Sequence, residues 1–130
     1  MSEVAPWARS VFAITLFVED LDECKRFYRE VFGLPLDGGD EVSVAFKVGE
    51  LLINLLQVTE APELIDPAPV GGAEAGRRFQ LTVPVDDVDT LYAELSGRGV
   101  KFLNGPMDRP WGIRTAAFAD PAGHVWEIAK

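Results

Sequence analysis

The chain has 130 residues, with 12 Lys and Arg against 21 Asp and Glu for a formal charge of −9, one cysteine and one histidine. That length suits one domain with a real core. The lone cysteine excludes an internal disulfide, and the lone histidine excludes a metal site built from several imidazoles of one chain. The acid excess argues against nucleic acid or an anionic membrane as partner, because phosphate binding needs a basic surface. No run approaches the ~20 apolar residues of a membrane helix. The N-terminal stretch carries Glu3, Arg9, Glu19 and Asp20 and lacks the layout of a signal peptide, so a cytoplasmic domain is expected.

The first element reads as a strand with period two: Phe12, Ile14, Leu16 and Val18 share one face, and Ala13, Thr15 and Phe17 the other. Asp20 then caps a helix, with Glu23 at the capping-box position. Leu21, Cys24, Phe27, Tyr28 and Val31 form its apolar stripe, and Gly33 ends it. Short strands follow over Leu36 to Asp40, Glu41 to Val48 and Leu51 to Val58. From Glu60 to Gly76 prolines and glycines without apolar period predict a connector rather than an element.

The second half repeats the first. Phe79, Leu81, Val83 and Val85 lie against Arg78, Gln80, Thr82 and Pro84 on a new strand. Val88, Leu91, Tyr92 and Leu95 stripe a helix that Gly97 and Gly99 stop, and strands follow over Val100 to Asn104, Ile113 to Ala119 and His124 to Ala129. Laid without gaps, AITLFVEDLD from Ala13 and QLTVPVDDVD from Gln80 share Thr15/Thr82, Val18/Val85, Asp20/Asp87 and Asp22/Asp89. One supersecondary unit is written twice: 11–59 and 78–130, joined by 60–77. The predicted class is α+β, two tandem βαβββ modules with helices on one side of the sheet.

These modules, the segments FVEDLDECKRFYREVFGL and VPVDDVDTLYAELSGRGV, and the ending FADPAGHVWEIA resemble the vicinal-oxygen-chelate superfamily of glyoxalases, bleomycin resistance proteins and extradiol dioxygenases. The resemblance covers nearly the whole chain. It implies a half-open β-barrel cleft with helices outside, a homodimer, and a divalent metal held by inward residues on the first and last strands of each unit. Transferred through the repeat, those positions are Ala13, Gln80, Asn54 and Glu127. Ala offers no donor and only Glu127 is charged, a poor set for a transition metal, so no cofactor is expected. His124 falls at the DPAG turn and reads as a turn histidine rather than a ligand.

Without an ion the cleft reads as a small-molecule site, an apolar wall bearing a few polar groups. The candidate ligand-binding residues are Phe17, Asn54, Gln80, Arg109, Trp111, Arg114 and Glu127. Glu127 carries most weight, as acid–base group or holder of a cation, with Gln80 or Asn54 as its expected hydrogen-bond partner. Gly105 to Arg114 reads as a turn-rich loop whose Trp111 should cover the cleft or a partner subunit. Arg109 and Arg114 either grip an anion or neutralise Glu127 or Asp108. Phe46 and Trp126 read as core, as does Cys24. The first reading is a metal-independent binding protein for a cationic or amphipathic ligand, like the antibiotic-binding resistance proteins. The alternatives are a lyase, isomerase or dioxygenase whose metal is held by Glu127, Gln80 and Asn54, or a metal-free enzyme with Glu127 as general base and Arg114 facing an enolised substrate.

Overall fold

The fold was analysed in a computed structural model that describes residues 3–130. The first module holds β1 (Ala13–Val18), α1 (Leu21–Glu30), β2 (Leu36–Gly39), β3 (Ser43–Val48) and β4 (Leu51–Gln57). After α2 (Pro62–Ile65) the second holds β5 (Gln80–Pro84), α3 (Val88–Gly97), β6 (Phe102–Asp108), β7 (Arg114–Ala119) and β8 (Val125–Ala129). The sheets have matching orders, β1-β4-β3-β2 and β5-β8-β7-β6, each with one parallel pair, β1 with β4 and β5 with β8. Among the described residues no strand of one sheet is hydrogen-bonded to the other, so the barrel stays open.

α1 and α3 begin as their sequences dictate. Asp20 accepts from the Glu23 N–H and Asp87 from the Thr90 N–H, each capping an otherwise orphaned donor. α1 then turns Leu21, Cys24 and Tyr28 inward, and Gly33 follows with φ +64, which a side chain would disfavour. Burial pushes the Cys24 thiol up to about 12, consistent with a core residue rather than a nucleophile.

The two modules share one core. Tyr28 packs on Phe46 of the first sheet and Trp126 of the second, while Phe32 meets Trp126 at 4.7 Å between ring centroids. Aromatic pairs of this kind add to the roughly 1.5–3 kcal/mol that each fully buried large apolar side chain contributes. The Tyr28 hydroxyl donates to Asp120 Oδ2 at 2.6 Å and accepts from Trp126 Nε1–H at 2.9 Å, bridging the halves through a buried polar link. The helix-side face of each sheet is therefore committed to the interior, and the opposite, mixed face looks outward.

Three expectations need correction. Phe12 and Phe79 do not extend the buried faces: they precede their strands and are 72% and 53% exposed. The connector contains structure, since Ala61 is fully buried and Pro62, with its preset φ, starts the short α2. The segment from Gly105 is not all loop. β6 runs to Asp108 through register shifts, and Asn104 Oδ1 accepts the Ala117 N–H where the ladder is interrupted. Among the described residues no helix is long and apolar enough to cross a membrane.

Candidate functional site

The repeat places polar pairs at equivalent points of the two outward faces. In the first sheet Thr15 is registered with Asn54, whose amide lies 3.5 Å from the Thr15 hydroxyl. In the second sheet Thr82 is registered with Glu127, and the Thr82 hydroxyl donates to Glu127 Oε1 at 2.9 Å. The expected partner of Glu127 was Gln80 or Asn54. The structure gives it Thr82 instead, because the parallel register puts Gln80 opposite Val125 and leaves Asn54 on the other sheet. The shared Thr15/Thr82 of the repeat was the available signal. Glu127 is half-buried, and its neighbour on β7 is Ala117, which leaves the carboxylate room on that side.

Arg109 joins this second face. Its Nε donates at 2.8 Å to the hydroxyl of fully buried Thr115, which shares a face with Ala117 and Glu127 by strand alternation. Arg114 does not join it. One residue out of phase, it turns to the helix side and makes a two-pronged contact with Asp89 of α3, with a third bond to Asp108. Those hydrogen bonds, Asp89 first, raise its affinity for the proton further, and the guanidinium is a satisfied surface cation. Trp111, in the tight loop whose Gly112 has φ +95, is 69% exposed and covers no part of its own chain's face. Gln80 is exposed. Phe17 and Val125 line a cavity between the modules that does not include Asn54, Gln80 or Glu127. Glu127, Gln80 and Arg109 thus share one face, Asn54 lies on its counterpart, Phe17 sits at the junction, and Arg114 and Trp111 stand apart.

The donors do not suit a divalent ion. Ala13 has none, the Asn54 amide faces Thr15, and Glu127 is the sole anionic oxygen donor of the set. No group of three or more His, Cys, Asp or Glu side chains among the described residues could hold a metal. His124 is engaged elsewhere: its Nδ1 lies 3.0 Å from Asp120 Oδ2, and its backbone N–H donates to Asp120 Oδ1. Burial alone would raise the Asp120 carboxyl, but the bonds from His124 and Tyr28 hold it below the usual carboxylate range.

Known proteins match this arrangement. The family model described as "Glyoxalase/Bleomycin resistance protein/Dioxygenase superfamily" covers residues 10–128. The chain is 36% identical over 121 residues to "Uncharacterized protein YraH" of Bacillus subtilis (strain 168), covering 90% of this chain and 94% of that one. A solved lactoylglutathione lyase from Agrobacterium tumefaciens superposes with a TM-score of 0.74 at 27% identity, over 93% of this chain and 92% of its own. A glyoxalase/bleomycin resistance protein/dioxygenase from Nocardioides shares the fold with a TM-score of 0.84 at 24% identity, over 98% and 85%. With the tandem βαβββ topology and these matches together, the chain belongs to the glyoxalase/bleomycin resistance protein/dioxygenase superfamily.

Proposed function

We propose that this protein is a metal-independent small-molecule binding protein, and that a homodimer lays the Glu127 face of one protomer over the Asn54 face of the other to form its ligand cleft. The observation that carries this reading is the half-buried Glu127 carboxylate, bonded among the described residues only to a neutral Thr82 hydroxyl on an outward sheet face. A carboxylate so placed attracts a cation, and the chain's overall charge of −9 favours a cationic, amphipathic ligand. The cytoplasm is the compartment proposed for it.

Surface area supports the dimer. The chain exposes 8582 Å², whereas a compact monomer of 14.2 kDa exposes about 6,800 Å². The excess exceeds the roughly 800 Å² per partner of a standard stable interface. Exposed Phe12, Phe79 and Trp111 add to the apolar surface available for covering.

The test is a thermal-shift screen over cationic amphipathic antibiotics, bleomycin among them, run beside sedimentation and elemental analysis of protein purified without chelator. A dimer free of stoichiometric metal, stabilised by such a ligand in wild type and at least roughly tenfold weaker in Glu127→Gln, is expected. Tight stoichiometric metal, or ligand binding indifferent to Glu127→Gln, overturns the reading.

A further inference from the structure

The cavity between the modules has a chemistry opposite to that of the Glu127 face. About 340 Å³ in volume, it is roofed by the connector before β5 and floored by the turn before β8. Arg77 and Arg78 contribute its cationic wall with the His124 ring beside them, Glu19 stands as the one acid, and Phe17 and Phe79 supply aromatic surface. In a chain of net charge −9 this is a local reversal of sign.

Arg77 is held without being neutralised. Arg77 Nη1 donates to the Ala73 carbonyl at 2.8 Å, and its guanidinium lies over Gly123. A Cβ there would sit 3.1 Å from Nη2 and 3.4 Å from Cζ, and Gly123 also has φ +97, so a side chain at that position is disfavoured twice. Neither Arg77 nor Arg78 forms a salt bridge among the described residues, whereas Arg98 and Arg114 do. His124 follows Gly123 directly. Asp120, 4% exposed and itself gripped by Tyr28, holds the Nδ1 edge of the ring, so the Nε2 edge is directed away from Asp120 at a residue that lines the cavity. A guanidinium fixed by a backbone carbonyl is a preorganised donor at the edge of an apolar space, and the imidazole beside it is held in place by a buried carboxylate.

We propose that this cavity binds a small organic carboxylate with an apolar body, its oxygens taken by Arg77, with Arg78 and the His124 ring beside it, and its body lodged against Phe17 and Phe79. The planar guanidinium fork matches a carboxylate. Glu127 is not among the residues that line the cavity, and the proposal does not depend on the ligand placed beside Glu127.

The single histidine makes the test direct, because one set of imidazole resonances reports on the cavity. Benzoate, added to the full-length protein and followed by the His124 ring signals, is expected to give a saturable shift. Its neutral isostere benzamide should bind at least roughly tenfold more weakly, as should benzoate to Arg77→Ala, the loss of a charge-assisted hydrogen bond. Arg77→Lys, which keeps the charge and loses the fork, should fall between the two. Glu127→Gln should leave benzoate binding unchanged, separating this site from the cationic one. Absence of a saturable shift, equal binding of benzamide, or unaltered binding by a folded Arg77→Ala protein overturns the proposal. Inorganic phosphate binding as tightly as benzoate overturns the part assigned to the apolar wall.

Discussion

The Thr15–Asn54 and Thr82–Glu127 pairs on the outward faces of the two sheets are copies that differ in one charge. Thr15 beside Asn54 and Thr82 beside Glu127 occupy the same register of the same topology, yet only the second pair has an anion and a short hydrogen bond, 2.9 Å against 3.5 Å. The inward side differs more sharply. Aligning Asp20 with Asp87 puts Tyr28 of α1 where α3 has Leu95, so the link from Tyr28 to Asp120 and Trp126 exists once and ties the halves together. Duplication supplied equivalent scaffolds. Differences at single positions put an anion beside Thr82 alone and join the two backs through one buried network.

The largest break in that comparison comes from Asp120→Asn. It leaves His124 and Tyr28 without their buried anion and should cost about 3 kcal/mol, near 10 °C in Tm by calorimetry for a domain of this size. Because the folded Asp120 carboxyl is held below its unfolded value, the stability it contributes is present above the ordinary carboxylate range. It is lost as pH falls through the lower folded value. Asp40, Asp87 and Asp89 are lowered too, by hydrogen bonds from Val42, Thr90 and Arg114 first, so they add to the same acid limb. Chemical denaturation should therefore give a plateau near neutrality and a decline below about pH 4, and the decline should be shallower in Asp120→Asn.

Tyr28→Phe is smaller, about 2 kcal/mol by urea unfolding, since the ring still packs while two hydrogen-bond partners lose their mate. Removal of the hydroxyl at Thr82→Val should cost about 0.5 kcal/mol, because Thr82 is exposed and water can replace it at Glu127. Thr15→Val, at the longer contact, should lie within the error of the same measurement. Asn54→Glu removes the asymmetry itself: it should leave stability within about 0.5 kcal/mol and tighten binding of a cationic amphipathic probe. A large loss of stability at Thr15, or a negligible one at Asp120, would invert the hierarchy drawn here.

Much of the fold was legible because it was written twice in short-range signals. Capping aspartates, helical stripes and period-two strands state their meaning within a few residues, and Phe46, Trp126 and Cys24 are buried as their patterns require. The connector's helical turns were less legible, since a buried Ala61 depends on what lies beneath it. The site was legible by face but not by partner. Arg114 and Arg109 both sit in one Arg-rich segment, and only the strand phase of β7 sends Arg114 to Asp89 while Arg109 reaches Thr115.

The chain's own order of residues determined its class, its duplicated topology, its capped helices and the four equivalent positions at which the repeat sets Ala13, Asn54, Gln80 and Glu127. The class, topology and caps follow from local geometry and from comparison of one half with the other, and the four positions from the family resemblance carried through the repeat. Only the tertiary structure decided that Glu127 bonds Thr82 and that Tyr28 carries Asp120. It also decided that Arg77, lying in a stretch without periodicity, folds over Gly123 beside His124. Those contacts join residues tens of positions apart, and their energies depend on register, side-chain direction and solvent exclusion, which exist only once the two modules are packed together.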